Sequence, residues 1–313
     1  MSMTGLLGSL LGNALLSGGV LAMAGLGELL AERVGVLNLG VEGLMALGGI
    51  TAIATVAATH DPYSGFAAAI AVGMAAGAVF AVATVIMRAS QVLCGMALTL
   101  GGTGLAATLG RAYAGQPAQA VFERIHIPLL DRIPILGQAL FSQNLLVLLT
   151  WLVLPVAIHT LLFGTRHGLS LRAIGENPAA ADAAGLRVTA LRFTYVTLGA
   201  GLSAGAGAYL TLGFVPSWSD GIVAGRGWIA VALVIFAGYR PFRIAGGALL
   251  FGLVNAFGYL AQAHDWGVPS AFLAMLPYVA TILFMILPAL LSRGRVILPA
   301  PAALGLPYYR DER

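Results

Sequence analysis

Glu28, Glu32, Arg33, Asn38 and Glu42 crowd into one stretch, ELLAERVGVLNLGVEGLMALGG, from Glu28 to Gly49. Carboxylates, a guanidinium and a carboxamide at this density can move protons, hold a polar solute or close a turn between helices. Their surroundings single them out, because long apolar runs flank them on both sides. On insertion scales one charged side chain at the centre of a membrane helix costs ~2.5–3.5 kcal/mol. Several facing lipid would undo insertion, so they must face protein, water or the membrane surface. Ionisable groups so placed mark a candidate functional site.

The elements around them are apolar. Hydrophobic residues make up 59% of the chain and charged residues 9%, against about 25% charged in a soluble domain. The chain reads as a polytopic membrane protein. Its 42 glycines sit within the apolar runs, as in Gly73–Gly77 and Gly199–Gly207, where small residues let helices approach closely. There is no lysine, which excludes a P-loop ATPase site and a Schiff-base lysine. The scattered arginines give no nucleic-acid surface. Cys94 stands alone, which rules out an intrachain disulfide. The five histidines are scattered without metal spacing, so no metal or cofactor is expected.

Runs near 20 apolar residues predict spans at about 6–27, 43–59, 65–87, 91–110, 143–163, 191–213, 228–239, 244–262 and 270–291. That is an all-α fold of about nine helices (8–10) in a single domain, 1–313. The seventh is short enough to be a half-helix. The first lacks the positive flank of a signal peptide and reads as a retained span. Arginine bias sets the orientation. Twelve of the sixteen arginines fall on one side: Arg33, Arg88, Arg166, Arg172, Arg187, Arg192, Arg240, Arg243, Arg293, Arg295, Arg310 and Arg313. That side is expected to be cytoplasmic, with the N-terminus outside and the C-terminus inside. Residues 111–142 form an external loop, able to carry a hairpin or an interfacial helix, and 164–190 the largest cytoplasmic loop.

Within that cytoplasmic loop, Asn177 fits a helix cap, Pro178 the first turn and Gly185 the stop. Between them lie Ala179 to Ala184, with Asp182 on one face. A nearly bare alanine helix suits a groove on another protein; an ordinary capped loop helix is the plainer reading.

The run Gly175-Glu176-Asn177-Pro178-Ala179-Ala180-Ala181-Asp182-Ala183-Ala184-Gly185 resembles the coupling loop of ABC importer permeases. The match is to the branch of ribose, branched-chain amino-acid and nucleoside permeases. Ala31 to Gly43 resembles the nucleoside and simple-sugar subgroup, as do Gly225 to Ala232 and Phe236 to Gly238. The resemblance implies a type II-like permease fold and one of two permease halves in a bacterial plasma (inner) membrane. It also implies several partners: a second, homologous but non-identical permease chain, a cytoplasmic ABC ATPase that docks on 175–185, and an extracytoplasmic solute-binding protein. The solute would be a nucleoside or simple sugar, and the chain itself would not be an enzyme.

In the opening motif, Gly35, Gly40 and Gly43 permit a sharp break. Asn38 is expected to cap the next helix, with Glu42 in its first turn, where the macrodipole favours an anion. Glu32 and Arg33 are expected to pair with charges nearby. The motif is then a capped joint near an inner gate, with Glu32, Arg33, Asn38 and Glu42 as its residues. Gln91 and Thr99, on a glycine-rich and irregular helix, are candidate pathway-lining groups together with Trp228 and Asn255. Asn and Gln also join helices by hydrogen bonds, and Trp anchors at interfaces. The alternative function is an ion-coupled secondary transporter. Against its proton-driven form, acidic residues outside the opening motif lie at span ends or in loops.

Overall fold

The computed structural model describes residues 3–125, 133, 135, 137–291 and 300–309. Of the arginines that set the orientation, Arg293, Arg295, Arg310 and Arg313 lie outside the described residues, as does part of loop 111–142.

The chain folds as α-helices α1 (Met3–Arg33), α2 (Val41–Thr59), α3 (Pro62–Ala81), α4 (Gln91–Gly110), α5 (Leu145–Leu148), α6 (Leu154–His159), α7 (Arg166–Glu176), α8 (Pro178–Ala183), α9 (Val188–Tyr209), α10 (Arg226–Phe236), α11 (Pro241–Ala263) and α12 (Ser270–Leu291). Wide π-turns extend α3 to Ile86 and α9 to Phe214, and join α5 and α6 into one rod, Leu145–Gly164. Pro155 lies in that rod; it lacks an N–H and its ring crowds the preceding turn. The π-turn Leu149–Val153 sits just before it, where such a widening relieves the clash. Helix starts follow local chemistry: Asp61 accepts from Tyr63 and Ser64 N–H before Pro62, and Ser90 accepts from Leu93.

Each of the nine predicted spans coincides with helix. Six of the described helices are long and apolar enough to cross a membrane. α9 is diluted by glycine, serine and threonine, α10 has only 11 residues, and the apolar run of α12 covers Ala271–Leu283. The fold is all-α and multi-pass, with nine as an approximate span count. Among its described residues loop 111–142 carries a π-helical turn, Gly137–Phe141, and one antiparallel bridge joins Arg124 to Asn144. It also pairs with the turn after α9, through Ala118 N–H to Pro216 O at 2.9 Å and Gly115 N–H to Trp218 O at 3.2 Å.

α1 is the axis of the bundle: 94% of its most apolar window is buried, against 22% for α4. A helix apolar all round belongs inside. α9 packs against α1, α2 and α3, and its small residues set the distance. A side chain at Gly207 would strike the Met45 carbonyl, and one at Gly48 the Ala204 carbonyl. Backbones that close hold by van der Waals contact where lipid offers no hydrophobic drive.

Candidate functional site

α1 stops at Arg33 with Gly35 in the left-handed region at φ 83°. The chain then folds back along α1. Asn38 N–H donates to the Glu28 carboxylate at 2.9 Å. Glu28 lies five residues before Arg33, so at ~1.5 Å per residue this contact is about 7.5 Å inside the helix end. α2 therefore starts within the bundle. Irregular backbone at membrane depth needs protein partners, and side chains of α1, α4 and the turn itself supply several. Gln91 Oε1 accepts Leu37 N–H at 2.7 Å, Thr99 donates to Leu39 O at 2.8 Å, and Asn38 Oδ1 accepts Gly40 N–H at 2.9 Å.

Two expectations change here. Asn38 closes a turn onto Gly40; it does not cap α2, whose N-cap Gly40 has no side-chain bond. Gln91 and Thr99 are buried and spent on the joint, on a regular α4. The irregular turn is Val82–Ile86, at the end of α3.

Glu42 does more than sit in the first turn of α2. Its carboxylate accepts Gly225 N–H at 2.8 Å and Gly227 N–H at 2.7 Å. It thus caps the start of α10, where backbone N–H groups and the macrodipole favour a negative charge. Gly225 has φ 77°, and a side chain at Gly227 would meet the Glu42 backbone. The first and third motifs are one structural unit. At 11 residues, α10 is about 16 Å long, half of a ~30 Å bilayer core. Past its other end, Tyr239 O accepts from Arg33 Nε at 3.1 Å. α10 is a half-helix running from the depth of Glu42 to that of Arg33.

Arg33 lies over the rings of Phe163 at 5.3 Å and Tyr239 at 5.6 Å. Glu32 does not pair as expected: both carboxylate oxygens are buried without a hydrogen-bond partner.

Beside this end, α7 and α8 form the predicted loop helix. Asn177 Oδ1 accepts Ala180 N–H at 2.9 Å, Pro178 opens α8, and Gly185 turns out at φ 85°. Ala181 is buried, while Ala179, Ala180, Ala183 and Ala184 are exposed. One alanine anchors the helix and the others form a bare face. Asp182 is half-buried and Glu176 exposed.

Sequence reasoning missed the segment 302–309, which straps the joint to this loop. Ala303 N–H donates to Gly175 O at 2.9 Å, and Ala302 N–H to Glu176 Oε2 at 3.3 Å. Gly305 N–H reaches Gly35 O at 3.3 Å. Arg192 bridges Val34 O at 3.0 Å and Leu306 O at 3.3 Å. Arg192 is 3% exposed; a lone charge at the start of an apolar run was the available signal. Of the remaining candidates, Trp228 is 42% exposed on α10, and Asn255 faces a cleft between α10, α11 and α12. The structure brings Asn38, Gln91 and Thr99 onto one turn, sets Glu42 at the start of α10 beside Trp228 and Arg33 past its far end, and puts Asn255 in the separate cleft.

Apolar spans around a broken, hydrogen-bonded joint, with an exposed capped helix at one end, describe a polytopic membrane permease. The family described as branched-chain amino acid transport system / permease component matches residues 10–290, and the chain belongs to it. It is 38% identical to a putative glucose ABC transporter permease protein of Haloferax volcanii, over 93% of this chain and 94% of that one. It is 32% identical to a nucleoside ABC transporter permease protein of Lactococcus lactis subsp. cremoris, over 96% of each. It is 30% identical to a guanosine ABC transporter permease protein of Bacillus subtilis, over 94% of each. No solved structure matches it. The chain is thus an ABC transporter permease, a transport subunit of a multi-pass membrane system.

Proposed function

We propose that this chain forms half of the translocation pathway of an ATP-driven importer for a nucleoside or simple sugar, nucleosides being preferred. The observation that carries the reading is α8: a capped helix with a bare alanine face, tied through Gly175 and the 302–309 strap to the joint at Gly35. A partner ATPase seated on that face would pull directly on the joint. Gly175, Glu176, Asn177, Pro178, Ala179, Ala180, Asp182 and Gly185 are its docking residues. Without any lysine the chain holds no P-loop, so ATP is hydrolysed by another chain. A homologous second permease and an extracytoplasmic binding protein complete the importer. Arg33, Arg88, Arg166, Arg172, Arg187, Arg240 and Arg243 gather at the α8 end. By arginine bias that end is cytoplasmic, in a bacterial plasma membrane, with the N-terminus outside. The preference for nucleosides draws on two relatives named for them, against one named for glucose.

The test is uptake in cells. Uptake should require the co-expressed ATPase and persist when ion gradients are collapsed. Uptake that survives loss of the ATPase and stops with an uncoupler overturns the reading in favour of a secondary transporter. Asp182→Arg and Gly185→Trp should each lose ATPase co-purification while inserting normally. Intact co-purification and uptake in both would remove α8 from the docking site.

A further inference from the structure

A cleft of about 270 Å³ opens between α1, α10, α11 and α12. Asn255, Tyr259 and Gln262 line it from α11, at the four- and three-residue spacings that share a helix face. Arg226 and Tyr278 face them from α10 and α12. Among the described residues, neither the Asn255 nor the Gln262 carboxamide bonds to protein. The Arg226 guanidinium uses only Nη1, donating to Ile222 O at 2.9 Å and Val223 O at 3.1 Å. Asn255 is half-buried within the cleft and Gln262 is exposed at its mouth; carboxamides in a cleft without a protein partner are free to bind something else.

The floor of the cleft is the same turn that Glu42 clamps. Ala224 sits at φ 49°, in a region that non-glycine residues occupy at a cost. Its carbonyl accepts from the Tyr278 hydroxyl at 2.6 Å. Gln262 lies next to the end of α11 away from Arg33. The cleft therefore runs from that end of the bundle down to the joint.

We propose that this cleft is the solute-contact site of the chain and takes a neutral nucleoside; this rests on the importer reading above. Two carboxamides offer paired donors and acceptors for hydroxyls and base edges. Two tyrosine rings offer faces for a planar base. Among the described residues no carboxylate lines the cleft and Arg226 is its one charged group, so a cation finds no counter-charge there. The volume is at the lower edge of the ~300–1,000 Å³ typical of small-ligand pockets, suited to one small solute.

The experiment uses the whole importer in proteoliposomes, with radiolabelled guanosine as the probe and glucose as competitor. Asn255→Ala and Gln262→Ala should each raise the uptake KM for guanosine about ten-fold, and together by more. As a second readout, in a Cys94→Ser background, saturating guanosine should slow labelling of Asn255→Cys by a polar thiol reagent at least ~five-fold. Labelling of Tyr63→Cys, exposed elsewhere on the surface, should not change. Should Asn255→Ala fail to insert, Gln262→Ala and the labelling decide. An importer that moves guanosine with unchanged KM in the variants and no protection of Asn255→Cys overturns the site alone. Protection by glucose but not guanosine overturns the nucleoside assignment. An importer that moves neither solute overturns the function reading, and the site with it.

Discussion

Glu42 closes one buried and one part-buried N–H group with a single carboxylate. Hydrogen bonds to a charged group contribute about 1.5–3 kcal/mol each, and an orphaned buried donor adds its own cost. Glu42→Ala should therefore destabilise the permease by about 3 kcal/mol or more. That lowers the melting temperature in detergent by roughly 6 °C or more. Glu42→Gln, which keeps one acceptor, should lose less. Equal melting of all three proteins would mean that the contact carries no weight. The importance of Glu42 was legible in the sequence, since a charge between apolar runs demands an explanation. Its partners were not, because they lie 183 and 185 residues away. Asn38 shows the same limit: its type announced a cap, but whether it serves a helix or a turn depends on where the next helix begins.

The apolar runs gave the helices to within a few residues, because length and hydropathy are local properties. Depth is not local. Nothing in the composition of α2 or α10 says that each starts inside the bundle; that follows from Glu28, Gln91 and Glu42 holding the turns there. α8 was legible in full, since Asn177, Pro178 and Gly185 act on their own neighbours. The glycines of α9 were legible as a close-packing signal but not as a specific crossing. Gly207→Val should force α2 from α9 at the Met45 carbonyl and cost several kcal/mol, as overpacking does. The measurement is recovery of monodisperse, detergent-stable protein, expected to fall sharply. By contrast Gly104→Ala, where a side chain meets nothing within 4 Å, should be recovered at the wild-type level.

Across the whole molecule, the 302–309 strap touches three separate parts: the joint at Gly35, the loop at Gly175 and Glu176, and the base of α4 at Gln91. Deleting residues 300–313 should leave the bundle able to insert while breaking the link between α8 and the joint. The expected result is ATP hydrolysis that continues with little solute moved, read as a rise in ATP consumed per solute in proteoliposomes. An unchanged ratio would mean that force passes by another route, such as the packing of Gly175 against the Arg33 backbone.

That strap also fixes an order of events during synthesis. Gly35 and Gly175 leave the ribosome before their partners at 305 and 303, by about 14–54 s and 6–26 s respectively at about 5–20 residues per second. Through that interval α1 and α2 are in the membrane with the carbonyls of Gly35 and Gly175 bare of these partners. An ATPase that recognises the strapped loop would therefore find its surface only on chains already synthesised past residue 305. Subunit assembly would then be checked for completeness by the translation product itself.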